Sequence, residues 1–301
     1  MICSVLMSCY NGEKYIAEQI DSILNQESIE IKLIIRDDGS SDSTIDILRE
    51  YEDKNPETIK IILGENVGIH KSFYELLKKC PDTDFVAFAD QDDYWDSDKL
   101  ICAISQLQDS NSDFYSCAAR LCDERLNELN RTTSDEKMNI HYQKKDNCVL
   151  TPGTQGCTIV MSNRLKKFLM NNSFPDYYGH DTWITVVSYY FFRCIYDKNT
   201  HMLYRQHNQS WTGNRKNRFI QFKREVVLFF SGLERYSCLA NDLVARFGPN
   251  LDSSSYEVLL LLSKKKKNIK EKMNLILNHN FRKYGFIRNF VFKFGVLIGK
   301  V

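Results

Sequence analysis

The sequence predicts an α/β fold: a doubly wound, mostly parallel sheet, followed by a basic helical C-terminal extension. Three observations carry this. Short apolar runs of strand type alternate with segments of helical period from Ile2 to Ala89, the pattern of consecutive βαβ units. Polar clusters stand directly after the strands, at Tyr10–Glu13, Asp37–Asp42, Asn66–Gly68 and Asp90–Asp93. The C-terminal strand edge is where such sheets present binding groups, so these clusters should converge. From Asn214 onward the chain turns helical, basic and aromatic.

Taken in order, Ile2–Ser8 reads as a strand buried on both faces, because it is apolar nearly throughout. Ile16, Ile20, Ile23 and Leu24 form one face of a helix, with Asn11 as a candidate cap. Ile31–Arg36 is the second strand, and a helix from about Ser43 to Tyr51 turns Ile45 and Leu48 inward. Lys60–Leu63 is a third strand and Asn66–Gly68 a turn. Lys71–Lys79 is a helix with Phe73, Leu76 and Leu77 at helical spacing, and Phe85–Ala89 closes the series. Asp96 is a candidate cap for a helix entering at Lys99. Residues 109–150 are polar, with a strand at Phe114–Ala119 and a surface loop at Asn130–Lys145. Gly153 and Gly156 precede a strand ending near Met161, which fits either a close backbone approach to a ligand or a turn before a core strand. Trp183–Ile195 reads as an apolar helix, with Asp181 where a cap would stand.

The chain has 301 residues, 43% hydrophobic and 26% charged, which suits an ordinary globular protein with a sizeable core. Its net charge of +1 hides an asymmetry. Eleven Lys and Arg lie from Lys264 onward against the single acid Glu271, leaving 29 basic and 38 acidic residues before them. Such a tail suits a membrane surface or nucleic acid. None of the ten cysteines forms a Cys-x-x-Cys pair, and the chain opens straight into a strand. They read as reduced cytosolic thiols used as small hydrophobes, with no signal peptide. No apolar run is long enough for a transmembrane helix.

The chemistry concentrates at Asp90-Gln91-Asp92-Asp93. Three carboxylates at one strand tip repel one another, and a divalent cation held by hard oxygen ligands relieves this. On an extended chain Asp90 and Asp92 face the same side. The competing interpretation is an acidic turn before the next helix. Neither Gly-x-Gly-x-x-Gly nor a Gly-Lys-Ser/Thr loop is present, so a diphosphate among these acidic loops needs a metal between. Arg205 suits a phosphate as a bidentate donor, with His207 close by in sequence.

Tyr10-Asn11, Asp37-Asp38-Gly39-Ser40-Ser41-Asp42, Asn66-Val67-Gly68 and Asp90-Gln91-Asp92-Asp93 resemble, in order and spacing, the motifs of family 2 glycosyltransferases. The resemblance covers about residues 1–212. It implies a GT-A fold with a nucleotide-binding half at 1–108, an acceptor half at 109–212 and a helical extension at 213–301. It also implies inverting transfer of a sugar from a nucleoside diphosphate donor. The run Asp90–Trp95, with His180-Asp181, looks like the bacterial rhamnosyltransferase-type branch. That likeness implies a UDP- or dTDP-sugar donor and a lipid-linked glycan acceptor of capsule, O-antigen or other surface polysaccharide. Donor contacts then fall to Tyr10, Asn11, Asp37, Asp38, Asn66, Gly68, Asp90 and Gln91, and the diphosphate to Arg205. Manganese or magnesium falls to Asp90, Asp92 and His207. The acceptor borders Gly156, Cys157, His180 and Trp183, and Asp181 is the base that takes the acceptor proton.

Phe219, Phe222, Val226, Phe229 and Phe230 share a helical face that packs on the core or on a second subunit as a homodimer contact. Beyond Lys264–Lys267, cations interleave with Phe281, Tyr284, Phe286, Ile287, Phe290, Phe292 and Phe294. That pattern suits a helix lying in the membrane interface and a peripheral enzyme on the inner face of the plasma membrane. Two other functions compete. A sugar-phosphate nucleotidyltransferase needs a basic loop after the first strand, where only Lys14 is near. A nucleic-acid-binding protein accounts for the tail but leaves a carboxylate cluster that repels phosphate.

Overall fold

The structure, a computed structural model, describes residues 1–134, 148–150, 153–172, 174–175, 178–207, 234–278, 281 and 286–301. β1 (Ile2–Cys9), β2 (Glu30–Asp37), β3 (Ile59–Leu63) and β4 (Phe85–Ala89) alternate with α1 (Ile16–Leu24), α2 (Thr44–Lys54) and α3 (Ile69–Lys79), as the apolar runs predict. Then come β5 (Tyr94–Trp95), α4 (Lys99–Asp109), β6 (Phe114–Cys122), β7 (Glu128–Thr132), a short 3-10 turn at Gly156–Thr158 and β8 (Val160–Ser162). α5 (Asn163–Asn171), α6 (His180–Phe191) and β9 (Cys194–Arg205) follow.

The strands form one sheet in the order β3-β2-β1-β4-β8-β6-β9-β5, with β7 on β6. β3, β2, β1 and β4 are parallel, and so are β6 and β9, whereas β8 runs antiparallel to β4 and β6. Cys9 pairs with Asp37, Asp37 with Leu63 and Met7 with Ala89. The loops after β1 to β4 therefore leave from one edge of the sheet. Side chains alternate across each strand. Val5, Met7, Leu33 and Ala87 pack with Ile16, Ile20 and Ile23 of α1, Leu48 of α2 and Ile104 of α4. Phe88 points to the other face, where Phe73 of α3 meets it edge-on at 5.9 Å. Both faces are covered, which is why these strands read as continuous apolar runs.

Some expectations change. Asn130–Thr132, read as loop, belongs to β7, and the helix expected over 183–195 stops at Phe191 so that β9 can begin at Cys194. Asn11 does not cap α1, whose N-cap is Tyr15. α4 is preceded by Asp98, while the Asp96 carboxylate pairs with Arg120 at 2.7 Å. None of the ten cysteines is in a disulfide, and Cys3, Cys9, Cys117, Cys122 and Cys157 fill the core as small hydrophobes.

The chain divides into two compact units: Met1–Asn139 with Thr154–Ser188 and Phe192–Ser210, and Ile140–Gly153 with Tyr189–Phe191 and Trp211–Val301. The second unit contains α7 (Glu234–Phe247), α8 (Ser253–Ser263), α9 (Ile269–Leu277) and α10 (Phe286–Leu297). Asp252 caps α8 and a reciprocal Asn268–Glu271 capping box opens α9. Phe281, Phe292 and Val296 are buried, with Phe292 edge-on to Phe281 and Tyr236. Part of the basic tail is thus a packed structural element of its own unit. Among the described residues no helix is long and apolar enough to cross a membrane. The predicted face Phe219–Phe230 and most of the predicted loop at 130–145 lie outside the described residues.

Candidate active site

Hydrogen bonds tie the loops at the sheet edge into one surface. The Asn11 Oδ1 accepts from the Ser41 N–H and the Asn11 N–H donates to Ser40 Oγ, each at 2.9 Å. Gln91 clamps the other side: its Oε1 accepts from the Tyr10 N–H at 2.8 Å and its Nε2 donates to the Tyr10 carbonyl at 3.2 Å. Gly12 makes room for that amide, since a Cβ there would stand 2.5 Å from Gln91 Oε1. Asp38 accepts from the Val67 and Gly68 N–H groups at 3.0 and 2.9 Å and pairs with Arg36, both side chains buried. Asp37 accepts from the Gly39 and Ser40 N–H groups and the Ser40 hydroxyl. Gly39 and Gly68 hold φ of +81° and +83°, a backbone region that glycine enters without steric cost.

Asp37 and Asp38 are almost fully buried and accept from loop backbone N–H groups, as the Gln91 Oε1 does, which sets the loops. Tyr10, 47% exposed, stands out from the assembled edge, and Asn66 and Gly68 are exposed beside Asp38.

At the tip of β4 the extended-chain geometry expected for Asp90 and Asp92 gives way to a turn at Gln91-Asp92. Asp92 swings to His207, with Nε2 2.6 Å from Oδ2. Asp93 goes inward. Its Oδ1 accepts from the Arg205 N–H at 3.1 Å, and its buried Oδ2 has no hydrogen-bond partner among the described residues. Asp90, Asp93 and Cys157 bring a ligand atom each within 4.8 Å of one another. Asp90, Asp92 and His207 form no such trio among the described residues; the predicted metal set is present as an Asp92–His207 pair with Asp90 beside it. Burial, and then the charge on Asp92, push Asp90 up to about 7, and the same two causes hold Asp93 well above the carboxylate range. Carboxylate oxygens with one imidazole fit a hard divalent ion such as manganese or magnesium.

Two cations share this cluster, of which the sequence flagged only Arg205. Lys99 is buried, donates to the Cys157 carbonyl at 2.7 Å and lies 3.3 Å from the Trp95 ring centroid. Burial lowers it to about 8, against the opposing pull of Cys117, Cys157, Asp93 and Asp90. Arg205 is buried, so the diphosphate role expected for it is withdrawn. Its Nε donates to the Asp92 carbonyl, and its two terminal nitrogens donate to the Glu124 carbonyl and to Glu18 Oε2, at 2.5–2.7 Å. It also lies 4.3 Å over the Tyr15 ring. A guanidinium with all three nitrogens engaged braces the Asp92 turn.

Asp181 lies in the first turn of α6, whose N-cap is Gly179. Its Oδ1 reaches the Thr182 N–H at 2.6 Å. A carboxylate is favoured there by the helix dipole. Its negative charge is felt at Asp90, which it helps to raise. Of the residues expected to border the acceptor, Cys157, His180 and Trp183 are buried. His180 packs between Phe73 and Phe88, with ring centroids 3.9 and 5.1 Å away, and burial lowers it to about 4. A Cβ on Gly156 would stand 2.4 Å from His180 Nε2, so the close approach read from this glycine is to an imidazole. Trp183 is buried and stacks on Tyr178, and Cys157 is buried beneath Asp90 and Asp93. These three back the site from behind. A cavity of about 300 Å³ lined by Arg36, Leu63, Val67, Lys71 and Tyr74 lies beside α3 and includes none of the predicted site residues.

Residues 4–171 match the family model described as Glycosyl transferase family 2. The chain is a family 2 glycosyltransferase. It is similar to the dTDP-rhamnosyl transferase RfbG of Shigella flexneri, 32% identical over 224 residues, covering 69% of this chain and 73% of that protein. Among solved structures, Staphylococcus aureus TarS 1–349 in complex with UDP-GlcNAc superposes with a TM-score of 0.62 at 18% identity, over 93% of this glycosyltransferase and 76% of that chain. The mannosyltransferase PcManGT of Pyrobaculum calidifontis, in complex with GDP-Man and Mn2+, gives 0.55 at 16% identity, over 99% and 88%. At these identities the superpositions establish the fold: the GT-A arrangement expected from the motifs.

Proposed function

We propose that this glycosyltransferase inverts and transfers a sugar from a UDP- or dTDP-sugar to a lipid-linked glycan during synthesis of a bacterial surface polysaccharide. The observation that carries the reading is the hydrogen-bonded union of the loops after β1, β2 and β4 with the Asp92–His207 pair, on the sheet edge toward which Asp181 directs its charge. The resemblance to a dTDP-rhamnosyl transferase favours rhamnose as the sugar. Tyr10 borders the base and the Asp38 carboxylate takes a ring N–H, which selects uracil or thymine over cytosine. Asp181 accepts the proton of the acceptor hydroxyl as oxygen bonds to the anomeric carbon and the nucleoside diphosphate leaves. Asp92 and His207, with Asp90, would hold manganese or magnesium, which supplies positive charge to the leaving diphosphate. His180 and Trp183 fix the start of α6 and so the position of Asp181.

The tail reading is a peripheral contact with an anionic bilayer on the cytoplasmic side. Ile269, Met273 and Leu277 are exposed along one stripe of α9, and Phe290, Phe294 and Leu297 along one stripe of α10, with Lys264, Lys265, Lys266 and Lys270 on the same unit. Apolar stripes edged by lysines suit the headgroup boundary, where a lipid-linked acceptor is confined. The full chain incubated with a panel of nucleoside diphosphate sugars and manganese tests the function. Slow hydrolysis of one UDP- or dTDP-sugar is expected; pyrophosphate release from a sugar phosphate and a nucleoside triphosphate would instead identify a nucleotidyltransferase.

A further inference from the structure

A second cluster of metal-ligating side chains lies apart from the acidic strand tip, where the start of α4 meets β9. Asp98, Cys102 and His201 each bring one ligand atom within 4.8 Å of the others. Both Asp98 oxygens stand 3.1 Å from His201 Nδ1, and the Cys102 thiol is 3.5 Å from Asp98 Oδ2. In a tetrahedral zinc site, bond lengths of about 2.0 Å to nitrogen and oxygen and about 2.3 Å to sulfur put ligand atoms roughly 3.3–3.6 Å apart. The observed separations are close to those edges.

The imidazole supplies a second, independent argument. On the far side of the ring, Nε2 faces Asp197 Oδ2 at 3.6 Å. Asp197 is buried and held by Gln106, by the Tyr115 hydroxyl at 3.2 Å and by the Asn199 N–H at 2.9 Å. The ring thus stands between two carboxylates, Asp98 at Nδ1 and Asp197 beyond Nε2, and in a metal site Nε2–H would point to Asp197 while the Nδ1 lone pair binds the ion. A carboxylate on the outer nitrogen of a metal-bound histidine is the usual arrangement for fixing its tautomer.

We propose that Asp98, Cys102 and His201 bind a zinc-class ion, with water completing the coordination and Asp197 orienting His201. The donor set of one sulfur, one nitrogen and one oxygen selects against manganese and magnesium, which prefer all-oxygen shells. This site is separate from the Asp92–His207 pair and would pin the start of α4 to β9, the strand that ends at Arg205. The proposal does not depend on which sugar or acceptor the enzyme uses.

The test uses the full chain, stripped with chelator and titrated with cobalt(II) as a spectroscopic stand-in for zinc. The expected result is a sulfur-to-cobalt charge-transfer absorption saturating at one equivalent, present in the unaltered protein and in Asp92→Asn, and lost in Cys102→Ser and His201→Ala. Asp197→Asn should keep the band and weaken the affinity ten- to a hundredfold. Metal-free thermal unfolding of Cys102→Ser close to that of the unaltered protein confirms that the variant folds. An absent band, or one that survives Cys102→Ser, would overturn the assignment and leave His201 as a hydrogen-bonded bridge between two carboxylates.

Discussion

Replacing Gly156 by alanine tests whether His180 is as rigidly held as its surroundings imply. The added Cβ would lie 2.4 Å from His180 Nε2, at least 1.0 Å inside the ordinary contact range that begins at 3.4 Å. The ring has little room to yield, since Phe73 and Phe88 pack on it at 3.9 and 5.1 Å. Gly156 is outside the left-handed backbone region, so alanine adds no strain of its own there. Overpacking of this kind costs about 1–3 kcal/mol. His180→Ala removes the obstacle while leaving a cavity that is itself destabilising. In that background Gly156→Ala should cost less than about 0.5 kcal/mol, giving a coupling of roughly 1–2 kcal/mol between the two positions. Urea unfolding of the four proteins measures it, with unchanged m-values showing that the shift is in stability. An equal cost for Gly156→Ala in both backgrounds would refute the tight packing and return Gly156 to the role of ligand contact.

Three further outcomes follow from the same geometry. His180 is held at about 4 against an ordinary 6.5, so the unfolded chain takes the proton first. Below pH 6.5 the protein should lose stability relative to His180→Ala, by about 3 kcal/mol at pH 4, and a constant gap between the two from pH 7 to 4.5 would contradict this. Asp92→Asn should remove the manganese-dependent part of nucleoside diphosphate affinity in calorimetry without unfolding the protein; unchanged affinity would separate Asp92 from the metal. On the second unit, Lys265→Ala with Lys266→Ala should weaken sedimentation with anionic vesicles about thirtyfold, at about 1 kcal/mol per lysine. Phe290→Ser with Phe294→Ser should weaken it at high salt too, and binding unaffected by either pair would leave the tail as packing alone.

The nucleotide-type half of the fold was legible because strands buried on both faces leave long apolar runs, and β1 to β4 fall where those runs lie. β9 was not, because Asp197-Lys198-Asn199-Thr200 interrupts its apolar pattern and its register against β6 shifts near Cys117 and Ala118. The motif residues were found, but the geometry of several was not. Asp90 and Asp92 would share a side on a straight strand, and the turn at Gln91 separates them. Asp37, Asp38 and Gln91 carry the chemistry of ligand contacts yet spend it on backbone N–H and carbonyl groups. Long-range partners have no local signature. Nothing near Lys99 announces that its charge lies among carboxylates, although Lys99 directly precedes the buried Leu100, Ala103 and Ile104 of α4.

In the proposed mechanism Asp181 takes the acceptor's proton, with donor and metal held at the sheet edge. The direct measurement is Asp181→Asn, assayed for donor affinity by calorimetry and for sugar transfer in the same preparation. An amide holds its place in the first turn of α6 but cannot accept the proton. Donor affinity should stay within a fewfold while transfer falls by about a hundred- to ten-thousandfold. Transfer that persists at near the unaltered rate would contradict the account and reduce Asp181 to a favourable charge at a helix N-terminus.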